Sequence, residues 1–148
     1  MTTDTTETRA DTSRRTVVVE RTGSGRFRVA NERGGHVVVG NGSDADFTPT
    51  ELLLASIGGC TAIDVDVLTA RRSEPEAFAV TVDATKVRDD EGNRLTDIVV
   101  TFHVTFPDDE GGTSAQEILP DVVARSHDRL CTVGRTVEVG TPIGTRIV

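Results

Sequence analysis

The sequence predicts a single α+β domain, and three observations carry that prediction. Short β-rich runs separated by glycine-bearing turns occupy its start. A strongly apolar run of helical length, "ELLLASIGGCTAIDVDVL" from Glu51, sits at its centre. Two long runs of strict apolar–polar alternation follow it.

The elements are justified in order. Residues 1–15, "MTTDTTETRADTSRR", are polar and acidic with no apolar centre, and read as a disordered tail before a 16–148 domain rather than as a signal peptide. "TVVVE" (16–20), "RFRVAN" (26–31) and "HVVVG" (36–40) are separated by "TGSG" and "ERGG", which predicts a meander of two or three strands. "GNGSDADFTPT" is a loop. Thr48 or Thr50 can cap the next helix, and Pro49 suits its first turn. That helix is expected over Leu52–Arg72. From Leu52 to Ile57 it is apolar on nearly every side, which predicts burial all round, and "ARRSEP" closes it with cations favoured by the helix dipole.

In "FAVTVDATKV", Phe78, Val80, Val82 and Ala84 share one face. In "LTDIVVTFHVTF", Ile98, Val100, Phe102, Val104 and Phe106 do the same, with Thr101, His103 and Thr105 opposite. One buried and one wet face predict an antiparallel sheet packed on helices, with "RDDEGN" as the hairpin connection. A second helix follows, capped by Thr113 or Ser114 and buried through Ile118, Leu119, Val122 and Val123. Pro120 kinks it or marks its start. "CTVGRTVEVGTPIGTRIV" reads as a turn and a closing strand.

Composition narrows the function. The chain has 148 residues, no Trp or Tyr, five Phe and a net charge of −8. Such an acidic balance argues against nucleic-acid and anionic-membrane partners. No apolar run is read as reaching the ~18–20 residues that span a bilayer. Two cysteines without an export signal point to the reducing cytoplasm. They stand 71 positions apart, form no CxxC, and supply no four-ligand zinc set, so neither metal nor cofactor is expected.

Cys60 has a plain reading as core filler, because a free thiol packs as a small hydrophobe. Against it stand Gly58 and Gly59, which cost a helix about 1 kcal/mol each relative to Ala and are tolerated where a backbone or ligand comes close. Cys131 follows "SHDRL" at a helix end, four residues after His127. His36 and His103 fall in strands and read as solvated. Asp64 lies one turn beyond Cys60, and its charge would raise a neighbouring thiol's pKa. A reactive Cys60 therefore needs a cation from elsewhere.

At "FTPTELLLASIGGCTAIDV" and "SHDRLCTVGRTVEV" the chain resembles the OsmC/Ohr family, over residues 16–148. The resemblance implies an α+β, OsmC-like fold with antiparallel sheets around two central helices in an intertwined homodimer. It also implies a thiol peroxidase that reduces organic hydroperoxides. Cys60 matches the cysteine that becomes a sulfenic acid, and Cys131 the one that condenses with it to a disulfide. A dithiol or dihydrolipoyl-type reductant then restores both thiols. Arg26, with Arg28 as the alternative, matches the arginine that stabilises the thiolate. The family's glutamate, which holds that arginine, directly follows the helix-entry proline; here Thr50 stands there and Glu51 comes one residue later. Two other readings stay open: a binding or redox-sensing protein with a small apolar ligand and no turnover, and a thiolate metal site of Cys60, Cys131 and His127.

Overall fold

The computed structural model describes residues 12–148, so most of the expected tail lies outside it; residues 12–15 are exposed and have no regular structure. The described chain forms two compact units that divide between Pro49 and Thr50.

In the first unit the β-rich runs make three strands, β1 (Val17–Gly23), β2 (Arg26–Asn31) and β3 (His36–Val39). They form one antiparallel sheet in the order β1-β2-β3, with Val19 opposite Val29 and Val29 opposite Val37. β1 runs past the expected boundary to Gly23, because a register shift between Arg21 and Gly23 absorbs the extra residue. Val17, Val18 and Val19 are all more than half exposed, so successive residues on both faces of this edge strand are uncovered in the single chain.

The second unit is built on a long hairpin. β4 (Ala77–Asp89) and β5 (Gly92–Thr105) pair antiparallel, with Val80 opposite Phe102 and Val82 opposite Val100. Their half-buried residues alternate as the sequence predicts, and Phe78 meets Phe102 edge-on at a ring separation of 6.4 Å. α1 (Pro49–Thr69) starts three residues earlier than expected, which puts Thr48 at the position before the helix. Its buried residues are Ile57, Gly58, Thr61, Val65 and Thr69, a single stripe at helical spacing.

Burial all round is therefore not what one chain provides. Leu53, at the edge of that stripe, and Ile63 and Val67, on the other side of α1, are 39%, 66% and 54% exposed. The helix has 21 residues and a mean hydropathy of 1.6, so by length and composition alone it is long and apolar enough to cross a bilayer, which corrects the reading of the sequence on that point. Within this fold it is a packing helix: Val65 is fully buried and Asp64 accepts a hydrogen bond from Ser126, 62 positions later.

α2 (Glu110–Arg125) is capped by Asp109, not by Thr113 or Ser114. Asp109 is extended, and its carboxylate accepts the Gly112 N–H at 2.7 Å, so the helix begins ahead of both expected caps. Pro120 lies inside the helix. A π-helical turn, Ser126–Leu130, continues α2 and leads into α3 (Thr132–Glu138). The expected closing strand is this helix instead. Its start is secured by a cap at Cys131, and Gly140 ends the segment with a left-handed φ of 65°. Residues 141–148 have no ladder partner among the described residues, and Ile143 and Ile147 are exposed.

Candidate active site

Cys60 owes its position to the way α1 lies on β4. A Cβ built on Gly58 would meet Val82 Cγ2 at 2.6 Å, so the glycine lets the helix backbone sit closer to the strand than any side chain permits. Gly59 has nothing within 4 Å of such a Cβ. One of the two glycines is thus explained by packing within the chain, and the other faces outward. Cys60, next along the helix, is half-buried.

Cys131 is brought to α1 by the π-helical turn. Five residues are enclosed where an α-helix would enclose four, and the turn closes with the Cys131 N–H donating to the Ser126 carbonyl at 2.8 Å. Cys131 is only 3% exposed. It caps α3 with its own sulfur, which accepts the Gly134 N–H at 3.2 Å. Ser126, at the start of that turn, is bonded to Thr61 and Asp64 of α1, so Cys131 is carried to the stretch of α1 that bears Cys60 although 71 positions separate the two cysteines in sequence. Both are free thiols.

The pKa of Cys131 is pushed up from the ordinary thiol value. Burial is the main cause, partly offset by the Gly134 N–H; the neighbouring Cys60 thiol and the charge of Asp64 add to the rise. Cys131 therefore rests as a neutral thiol at physiological pH.

A polar relay that was not foreseen lies beside the cysteines. Ser126, fully buried, donates its hydroxyl to Asp64 Oδ2 at 2.8 Å. A serine has one hydroxyl proton, so its second contact, Thr61 Oγ1 at 2.8 Å, must be a donation from Thr61. The helical phase of Asp64 relative to Cys60 was readable in the sequence. Ser126 was not, because a serine at a helix end looks like a solvated residue.

His127 faces away from this chemistry. Its ring nitrogens pair with Asp128 at 3.0 Å and Glu138 at 2.8 Å, both at the surface. The hydrogen bond to Asp128, then the bond and charge of Glu138, raise its pKa above the ordinary 6.5. A raised histidine pKa favours this arrangement fully below the ordinary value, and the contribution fades as pH climbs through the raised one. Because the pair is exposed, the effect on stability is small. In a proton-detected titration the His127 midpoint should lie above 6.5, and Asp128→Asn and Glu138→Gln should each lower it. A wild-type midpoint at or below 6.5 would contradict this pairing.

His127 and Glu138 edge a cavity of about 390 Å³ that reaches Cys131 and has Ile57, Ile98, Val100, Phe102 and Val123 among its walls. The expected Glu51 points to another part of the second unit. Glu51 stands nine positions before Cys60, about 180° around the helix. It lines a different hollow, of about 460 Å³, with Leu54, Gly58 and the β4 residues Phe78 and Val80. Arg26 belongs to the first unit, where its guanidinium pairs with Asp44 and Asp46. Both carboxylates come from the stretch read only as a loop. Their spacing, two acids separated by one residue opposite an arginine-bearing strand start, was the available signal.

Residues 40–146 match the family of OsmC-like proteins. The chain belongs to the OsmC family. Within it, an uncharacterised protein of Mycobacterium tuberculosis and one of Mycobacterium bovis are each 34% identical over 133 residues, 88% of this chain and 93% of theirs. Among solved structures, an OsmC-like protein of unknown function from Vibrio cholerae superposes with a TM-score of 0.72 at 15% identity, covering 86% of this chain and 95% of its own. The organic hydroperoxide resistance protein OsmC of Legionella pneumophila gives 0.56 at 16% identity, over 85% and 91%. The organic hydroperoxide resistance protein OhrB of Bacillus subtilis gives 0.53 at 15%, over 84% and 90%. These structural likenesses establish the OsmC fold.

Proposed function

We propose that this OsmC protein is a cysteine-based thiol peroxidase that reduces organic hydroperoxides. The observation that carries the reading is the docking of the π-helical turn before Cys131 on α1 beside Cys60, through the bonds of Ser126 to Thr61 and Asp64. In this reading the Cys60 thiolate attacks the peroxide and the O–O bond breaks. One oxygen stays on sulfur as a sulfenic acid, and the other leaves as an alkoxide that is protonated to the alcohol. Cys131 then attacks the Cys60 sulfur, water leaves, and a disulfide forms. A dithiol or dihydrolipoyl-type reductant returns both thiols by exchange, each bond formed matching one broken. A cycle that returns both cysteines to thiols fits a reducing compartment, the cytoplasm.

Arg26 is the cation assigned to the Cys60 thiolate, with Asp44 and Asp46 orienting it by charge-assisted hydrogen bonds. Glu51 is at most a partial substitute for the family's glutamate, given its phase on α1 relative to Cys60. Weak turnover is expected. The homodimer belongs to the same proposal. Uncovered Val17–Val19 on an edge strand and the exposed side of α1, with Leu53, Ile63 and Val67, are apolar surfaces that a second copy would cover.

The test is hydroperoxide consumption by the reduced protein with a dithiol reductant. Cumene hydroperoxide should be consumed faster than hydrogen peroxide, since Cys131 borders a cavity walled largely by apolar side chains. Consumption of neither compound above the protein-free rate would overturn the reading. The cavity against Cys131 favours one alternative, binding of a small apolar ligand with the thiols as sensors. That alternative would stand if an apolar probe bound there while no peroxide was consumed.

A further inference from the structure

We infer that Asp64 is the base that takes the proton of the Cys131 thiol as that sulfur attacks Cys60, and that Ser126 is the positioning residue that holds Asp64 for the task. Two geometric facts lead there. Asp64 follows Cys60 by four residues, so the two lie one turn apart on the same side of α1. The Ser126 hydroxyl is bonded to Asp64 Oδ2 at 2.8 Å, while the Ser126 carbonyl is bonded to the Cys131 N–H at 2.8 Å. One buried serine thus ties the carboxylate through its side chain and the cysteine through its backbone. Thr61, donating to Ser126, fixes the direction of the relay.

The chemistry requires such a group. Cys131 is buried and neutral, and a neutral thiol is a poor nucleophile. The charge of Asp64 reaches it. A negative group beside a thiol opposes a resting thiolate, yet it is the right neighbour to accept a proton during attack. Oδ2 is taken by Ser126, and Oδ1 carries no hydrogen bond among the described residues. In the condensation, Asp64 takes the proton from Cys131, the S–S bond forms, and the S–O bond of the Cys60 sulfenic acid breaks. Asp64 then returns the proton to the departing hydroxide, so that one water leaves and the carboxylate is regenerated. The oxidising equivalent comes from the hydroperoxide of the proposed function, on which this part of the inference rests.

The test does not need a hydroperoxide. Reduced full-length protein is mixed with an aromatic disulfide whose nitrobenzoate thiolate absorbs visible light on release. A first phase reports the mixed disulfide at Cys60, and a second reports its displacement by Cys131. The rate of the second phase relative to the first should fall roughly a hundredfold in Asp64→Ala, the low end of what a positioned base contributes. Added formate should restore it in Asp64→Ala, a response that a purely structural role does not give. Ser126→Ala should slow the second phase severalfold, and it carries the test if Asp64→Ala does not fold. An unchanged second phase in either folded variant, or a slowed phase in Asp64→Ala that formate leaves slow, overturns the inference. A protein that consumes no hydroperoxide but shows the predicted phases would defeat only the peroxidase reading.

Discussion

Cys60→Ser is expected to abolish dithiol-dependent reduction of organic hydroperoxides, by at least roughly a thousandfold, equivalent to about 4 kcal/mol of transition-state stabilisation. The reason is nucleophilicity. A serine hydroxyl stays protonated at neutral pH, and without an activating base it is a poor nucleophile toward a peroxide oxygen. Cys131 is no substitute: it is 3% exposed, and burial holds its thiol neutral. The measurement is steady-state peroxide loss in the variant against wild type, with folding checked by circular dichroism. Equal rates would mean that Cys60 is not the attacking group.

The largest effect on stability should come from a residue remote from the thiols. Gly112→Ala would place a methyl 1.7 Å from the Pro107 carbonyl oxygen and 2.8 Å from its carbonyl carbon. Both are backbone atoms, so no rotamer change relieves the clash. The start of α2 must move, and with it the bond from Gly112 N–H to the Asp109 cap. A cost of about 3 kcal/mol or more is expected, at the upper end of over-packing substitutions. In a chain of this size that is roughly a 10 °C fall in melting temperature. Gly59→Ala is the contrast, because no atom lies within 4 Å of its built Cβ. A Gly112→Ala protein that melts with the wild type would show that the turn before α2 is looser than described.

What the sequence made legible follows the range of the interactions involved. Alternation in Phe78–Ala84 and Ile98–Phe106 is a period-two signal produced within each strand, and both strands formed, although β5 stops at Thr105 and the ladder runs on into the stretch read as the hairpin connection. The length of α1 was legible, but its burial was not. Apolarity on all sides says that a helix wants cover, not where the cover comes from, and one chain covers only the Ile57–Thr69 stripe. "VEVGTPIGTRIV" looked like a strand because β-branched residues dominate it, yet a strand needs a ladder partner. A local competitor, the sulfur cap from Cys131 to Gly134, made Thr132–Glu138 a helix. At the site, resemblance pointed to Cys60 and Cys131, whereas spacing was silent because the contact between α1 and the π-helical turn is tertiary. Asp44, Asp46 and Ser126 escaped notice for a related reason. Polar residues in loops and at helix ends read as solvated until the fold supplies their partners.

The central claim, that the two cysteines act as a peroxide-driven pair, meets its most direct test in a single turnover. Fully reduced protein receives one equivalent of cumene hydroperoxide without reductant. It is then alkylated under denaturing conditions, and its free thiols are counted by mass. The account predicts that both thiols disappear together, that one alcohol appears per disulfide, and that proteolysis releases a joined peptide pair containing Cys60 and Cys131. Two intact thiols beside unconsumed hydroperoxide would contradict it.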